Sequence, residues 1–377
     1  MAKKSQASPR YMTWIVVLSI AILAGLVTAY QVFTKGLVMW NATDVVFWTL
    51  PKVTYVFLSL MSTGLALVAS IPLVFGIEKY GIVAKRAVFL AIAVLFAGLI
   101  SLALDTGSLL NAIYFFISPN FSSLLWWMGM LYAIELVLLL TKFWRMHVGD
   151  WHSRISKVSG ILALFNAIAA GSVLGAVFGM TEARPTFSGD FMPVYFLLAA
   201  LLSGLALFIL VSLVFEFIKS NGISKDDTSQ HEDLSKMLGF VTGIALFFFV
   251  WRAIVSLSTT LPGFTAFEYR VGAWPFHFEL WLGLIVPFLL MIIPSLRAIS
   301  LSKVVASTLV LLGLFVGRME FFLIGQIKPL GSRAMGLPEF VSYAPSMWEW
   351  LVVASALAIV LLMFTFGERY LKLDATG

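Results

Sequence analysis

Ala87 to Leu104 reads A-V-F-L-A-I-A-V-L-F-A-G-L-I-S-L-A-L, eighteen residues without a charge. A helix needs roughly 20 apolar residues to cross a hydrocarbon core about 30 Å thick, and this run nearly reaches that length on its own. It is continuously apolar, whereas a barrel strand alternates. Outward from it, runs of the same kind occupy 13–33, 53–76, 86–104, 122–141, 159–180, 191–217, 237–258, 275–293, 301–323 and 348–366. They predict an all-α integral membrane protein with ten transmembrane helices. Composition agrees: of 377 residues 60% are hydrophobic and 12% charged, against about 25% charged in a soluble domain. The first run follows Lys3, Lys4 and Arg10, as a signal peptide would. Its length and the lack of a small-residue cleavage site predict a retained helix.

Charge sets the expected orientation. With the amino terminus inside, the inner segments hold 17 of the 25 Lys and Arg residues and the outer loops hold six: Lys35, Lys52, Arg184, Arg270, Lys328 and Arg333. That bias predicts both ends inside. It also accounts for the net charge of +6 without a nucleic-acid partner. The polar stretch Lys219 to Lys236 reads as a solvated inner linker between two halves.

Those halves carry a repeat. Thr54–Val68 is T-Y-V-F-L-S-L-M-S-T-G-L-A-L-V and Val194–Phe208 is V-Y-F-L-L-A-A-L-L-S-G-L-A-L-F, aligned at an offset of 140 residues. If the match is more than chance between Leu/Ala-rich helices, spans two to five and six to nine form two four-helix bundles, related by an axis along the membrane normal. The expected division is 1–52 (tail, first helix and outer loop), 53–180 (first bundle), 181–236 (outer loop, first helix of the second bundle and linker), 237–323 (rest of the second bundle) and 324–377 (outer loop, last helix and tail).

The sequence has no cysteine, which excludes disulfides, thiolate zinc sites and cysteine-ligated iron–sulfur clusters. His147, His152 and His231 fall in inner loops and His277 near the outer end of a span, so no histidine pair is placed to ligate haem. Ionisable groups inside a membrane are costly and commonly functional. Asp105 lies at the outer end of span three and Glu135 in the inner third of span four. Glu135 reads either as an inner proton relay or as a side chain reaching a headgroup or lysine at the inner rim. Arg252, His277, Glu279, Arg318 and Glu320 cluster in the outer third of spans seven to nine. An Arg252 or Arg318 pairing with Glu279 or Glu320 either fixes helix register or carries protons. The stripe Ala163, Ala167, Gly171, Gly175 and Gly179 predicts close helix packing or a groove for an isoprenoid tail. Trp40, Trp48, Trp126, Trp127, Trp348 and Trp350 read as an interfacial belt.

Two segments resemble a known family. Leu104 to Ser123, L-D-T-G-S-L-L-N-A-I-Y-F-F-I-S-P-N-F-S-S, and Thr181 to Gly189, T-E-A-R-P-T-F-S-G, with the S-G-L-A-L helix after it, resemble the NrfD / polysulfide reductase membrane-subunit family (PsrC-like). The length is similar to its ten-helix HybB- and DsrP-type branch. The resemblance implies a haem-free quinone-reactive anchor of a respiratory oxidoreductase complex in the cytoplasmic membrane of a prokaryote. Its implied cofactor is a quinone, taken to be menaquinone, and its implied partner an external iron–sulfur subunit. Matched by motif, Asp105, Asn120, Glu182 and Arg184 are the quinone candidates, and Tyr55 joins them by position. Some relatives place a histidine at the pocket, and spans two to five have none. The second-bundle group Arg252, His277, Glu279, Arg318 and Glu320, with Glu135, would be the locus of any proton translocation. Two rivals stay open: a secondary transporter with a midplane substrate site and interrupted helices, and a structural anchor without its own quinone.

Overall fold

The computed structural model describes residues 9–371 and 373 except 78–79, 108–111, 182, 185, 188, 220–224, 260–263 and 332–334. Among them ten helices are long and apolar enough to cross a membrane. These are α1 (Pro9–Lys35), α2 (Leu50–Leu73), α3 (Gly81–Asp105), α5 (Leu124–His147), α6 (Arg154–Gly179), α7 (Met192–Lys219), α8 (Lys225–Ser258), a composite eighth span, α13 (Ser300–Ile324) and α14 (Met347–Tyr370). The eighth span joins α10 (Trp274–His277), a π-helical segment Phe278–Ile285 and α11 (Val286–Ile292). Short helices α4 (Tyr114–Ile117), α9 (Thr265–Val271) and α12 (Pro294–Arg297) lie between spans. All ten predicted runs fall on these spans.

Local chemistry sets several boundaries. Ser123 caps α5 by accepting from Trp126 N at 3.4 Å, and Ser153 caps α6 by accepting from Ser156 N at 3.2 Å. A capping box opens α14: Ser346 Oγ accepts from Glu349 N at 3.3 Å, and Glu349 Oε1 from Ser346 N at 2.9 Å. Such caps satisfy amides that have no intrahelical partner. The stretch expected to be a linker is helical from Lys225 onward. The apolar stripe Leu234, Leu238, Val241, Ala245 and Phe249 is buried at three- and four-residue spacing, so the core-facing side of α8 continues below the span. Glu232, on that extension, accepts from Arg297 Nε at 2.6 Å and pairs with Lys303 Nζ at 3.3 Å.

In packing, α2 lies against α3 and α6, and α5 against α6 and α3. Likewise α7 lies against α8 and α13, while α11 lies against α8 and α13. The two sets meet where α2 crosses α7. There the glycines of the repeated G-L-A-L blocks face each other: a Cβ on Gly64 would overlap the Ala200 carbonyl and sit 3.0 Å from Gly204 Cα. Only glycine lets backbones approach this closely. The α6 small-residue stripe is also filled by protein, since a Cβ on Gly175 would meet Met192 O at 2.6 Å and one on Gly179 would meet Gly189 O at 2.7 Å. Helix α14 covers α3 and α2, and α1 lies outside α14, with Trp14 Nε1 donating to Thr365 Oγ1 at 3.1 Å.

The end of the helices that carries Asp105 is called the upper end below, and the end that carries Arg145 the lower.

Candidate functional site

Three polar groupings occupy the helices from top to middle. The uppermost is a clasp. Glu349 Oε1 accepts from Asn41 N at 3.1 Å as well as from Ser346 N, and Oε2 accepts from Leu50 N at 3.0 Å and from the Tyr343 hydroxyl. Burial, then this carboxylate, push the Tyr343 phenol well above its ordinary range. Gln326 Oε1 accepts from Phe47 N at 3.1 Å and Trp48 N at 2.8 Å. Arg184 belongs to this framework, its Nη1 donating to Lys328 O at 3.0 Å and Gln326 O at 3.4 Å. Asp105 pairs with Lys52 at 2.8 Å. Trp40 and Trp48 depart from the expected belt: Trp40 is buried with Leu104 and Val352, and Trp48 packs on Phe178, Phe187 and Phe322 with centroids 5.5, 5.6 and 5.8 Å away.

Beneath the Lys52–Asp105 pair runs a column built by α2 and α5. On α2, Tyr55, Ser59, Ser62 and Thr63 stand at helical spacing and are all buried. On α5, Tyr132 and Glu135 are wholly buried and, three residues apart, share a face. The Tyr55 and Tyr132 rings meet edge to face, 6.2 Å between centroids. Ser59 lies beside the Tyr55 hydroxyl and Thr63 beside that of Tyr132. Ser62 lies beside the Glu135 carboxyl but gives its proton to Ala91 O at 3.0 Å. Despite these neighbours, Tyr55 Oη, Ser59 Oγ, Thr63 Oγ1, Tyr132 Oη and both Glu135 carboxyl oxygens are buried without a formed hydrogen bond. Buried polar atoms are nearly always satisfied, so six orphans in one place need an explanation. Glu135 therefore does not reach the lower rim, as one expectation had it; Lys142, a candidate partner there, is buried and donates to Ser156 Oγ at 2.8 Å and Ser156 O at 3.1 Å.

The third grouping lies across the α2/α7 crossing. Glu279, on the π segment, is buried with its carboxyl over Gly317, where a Cβ would overlap it. It interacts electrostatically with Arg252 and Arg318. Arg318 is 5% exposed and stacks 4.2 Å from the Phe196 centroid; Arg252 lies 4.9 Å from that of Phe321. Glu320 takes a different partner from the expected ones. It accepts a bidentate pair from Arg270 Nε and Nη2, both at 2.7 Å, and this hydrogen bonding holds the Arg270 guanidinium above its ordinary value. The reason is that α9, in what the sequence places as an outer loop, brings Arg270 down onto α13. His277 is exposed and meets Phe276 edge-on at 5.6 Å.

Of the quinone candidates, Asp105 at the end of α3 pairs with Lys52, which lies one turn above Tyr55 on α2. Asn120 is exposed and forms a turn in which its Oδ1 accepts from Ser122 N at 3.1 Å, while Glu182 lies outside the described residues. Tyr132, Ser59 and Thr63 were missed in the sequence. Their signal was present as hydroxyl residues at helical spacing within two apolar runs. Among the described residues no group of three or more Asp, Glu and His is arranged to hold a metal ion.

A family model described as polysulphide reductase, NrfD, matches residues 38–329. The chain is 26% identical to the Hdr-like menaquinol oxidoreductase integral membrane subunit of Archaeoglobus fulgidus, across 83% of this chain and 81% of that protein. It is 23% identical to a selenate reductase subunit of Mesobacillus selenatarsenatis, across 93% and 91%. It is 26% identical to a putative dimethyl sulfoxide reductase membrane subunit of Halobacterium salinarum, across 96% and 91%.

Proposed function

Because the chain belongs to the polysulphide reductase NrfD family, we propose that it is the haem-free, quinone-reactive membrane subunit of a respiratory oxidoreductase complex. In this reading it lies in the cytoplasmic membrane of a prokaryote with both ends inside, and exchanges electrons between the quinone pool and a separate iron–sulfur subunit docked at the upper end. The menaquinol named for the Archaeoglobus relative supports menaquinone as the quinone.

The observation that carries the reading is the α2/α5 column. A quinone ring presents two carbonyl oxygens in a flat apolar body, and the column offers two tyrosine hydroxyls, two further hydroxyls and a carboxyl, all without partners. When bound, the quinone supplies two-electron, two-proton redox chemistry. The chain's own work is then to bind, orient and handle protons. Tyr55 and Tyr132 donate to ring oxygens. Glu135 takes or gives a proton at its carboxyl, a role that suits a buried acid with no cation paired to it. Asp105 at the end of α3, paired with Lys52 one turn of α2 above Tyr55, exchanges protons with the upper surface, and Arg184 frames the approach from that side.

The test is quinol turnover by the intact complex carrying Glu135→Gln or Tyr132→Phe. Turnover should fall at least tenfold while the chain still assembles with its partners. Parental turnover in both variants would overturn the site.

A further inference from the structure

At an offset of 140 residues α2 aligns with α7, and the aligned glycines, Gly64 and Gly204, touch. The same offset carries Tyr55 of the column onto Tyr195 of α7. Where Tyr55 has Glu135 from the third span of its set, Tyr195 has Glu279 from the third span of the other. The second set adds Arg252 and Arg318 to this motif.

Resting on the quinone reading above, we propose that Tyr195, Arg252, Arg318 and Glu279 form a second quinone-headgroup site, the counterpart of the Tyr55/Tyr132/Glu135 column. Three observations support it. Arg318 Nη1 and Arg252 Nη2 are buried donors without hydrogen-bond partners. Glu320 is no counter-ion for them, since it is engaged by Arg270. The walls are rings: Phe196 and Phe321 lie 4.2 and 5.8 Å from the Arg318 guanidinium, and Phe321 and Phe267 lie 4.9 and 5.8 Å from that of Arg252.

The ligand class follows from these neighbours. Guanidinium groups do not release protons in proteins, so two of them flanking one carboxyl hold an acceptor oxygen better than they relay a proton. A phosphate would place its charge against Glu279, whereas a neutral ring carbonyl accepts from the arginines without that repulsion, and its ring lies among aromatic faces. Tyr195 and Arg252 are half-buried, beside the exposed Val194 and Trp251.

The purified complex, in detergent, is titrated with the quinone analogue heptyl-hydroxyquinoline N-oxide, whose fluorescence is quenched on binding. Two equivalents per chain are expected. Tyr195→Phe, which removes one hydroxyl, should weaken one of them more than tenfold, and Arg318→Gln should abolish it. Glu135→Gln or Tyr132→Phe should act on the other. A photoreactive azidoquinone should label α7 or α8 in the parent and not in Arg318→Gln. One equivalent, lost in Glu135→Gln and unaffected by Tyr195→Phe, overturns the second site and leaves the first. No binding in the parent overturns both. Loss of copurifying anionic phospholipid from Arg318→Gln, with analogue binding intact, overturns the quinone assignment in favour of a lipid site.

Discussion

The clasp around Glu349 and the column around Glu135 use similar side chains, each with a tyrosine beside a buried glutamate. They differ in what those groups touch. Four donors converge on the Glu349 carboxylate, whereas neither oxygen of Glu135 has a partner. Leaving a buried polar group unsatisfied costs about 1–3 kcal/mol, so the column lowers the stability of the fold and the clasp adds to it. Polarity consumed inside the protein holds structure, and polarity left over is available to something that binds.

Four substitutions test that contrast. Glu349→Ala removes the shared acceptor of four donors, of which Leu50 N keeps the Tyr343 hydroxyl, and should cost roughly 3–5 kcal/mol, read as a large fall in the melting temperature of the detergent-solubilised protein; an unchanged melt would remove the clasp from the comparison. Gly64→Ala forces a methyl into the Ala200 carbonyl at the α2/α7 crossing and should cost about 1–3 kcal/mol in the same measurement. Glu135→Gln should change stability by less than about 1 kcal/mol in either direction, while a tenfold loss of quinol turnover corresponds to about 1.4 kcal/mol of barrier. The opposite pattern, a destabilised protein with intact turnover, would make the column a second clasp. Ser123→Ala, which removes only the α5 cap, should cost about 0.5–1 kcal/mol and leave analogue binding unchanged.

The sequence reveals the spans because hydrocarbon imposes the same demand along each whole run, and no tertiary contact has to be known to meet it. The two G-L-A-L blocks quoted from the sequence meet at Gly64 and Gly204, where α2 and α7 come closest. Partnerships were harder to read. Depth in the span, the one coordinate the sequence offers, leaves Arg252 or Arg318 to pair with Glu279 or Glu320, whereas the path of α9, which delivers Arg270 to Glu320, is set by tertiary packing. The column was half legible. Tyr55 and Glu135 were singled out separately, but their meeting depends on how α2 and α5 rotate about their axes, which a run of leucines on every side does not fix. The polar stretch Lys219 to Lys236 has the composition of a solvated segment, yet α8 runs through it from Lys225, its buried Leu234 continuing the core-facing stripe.

The α1/α14 pair has a consequence for traffic in the plane of the membrane. These two helices stand on the α2/α3 flank, where about three quarters of each span is buried (78% and 72%), whereas only 22% of α5 is. That flank is screened, and the perimeter open to lipid around the first set falls to α5 and α6. A molecule diffusing within the bilayer therefore meets the first set from one direction, and any neighbouring protein seated along α5 would control its arrival.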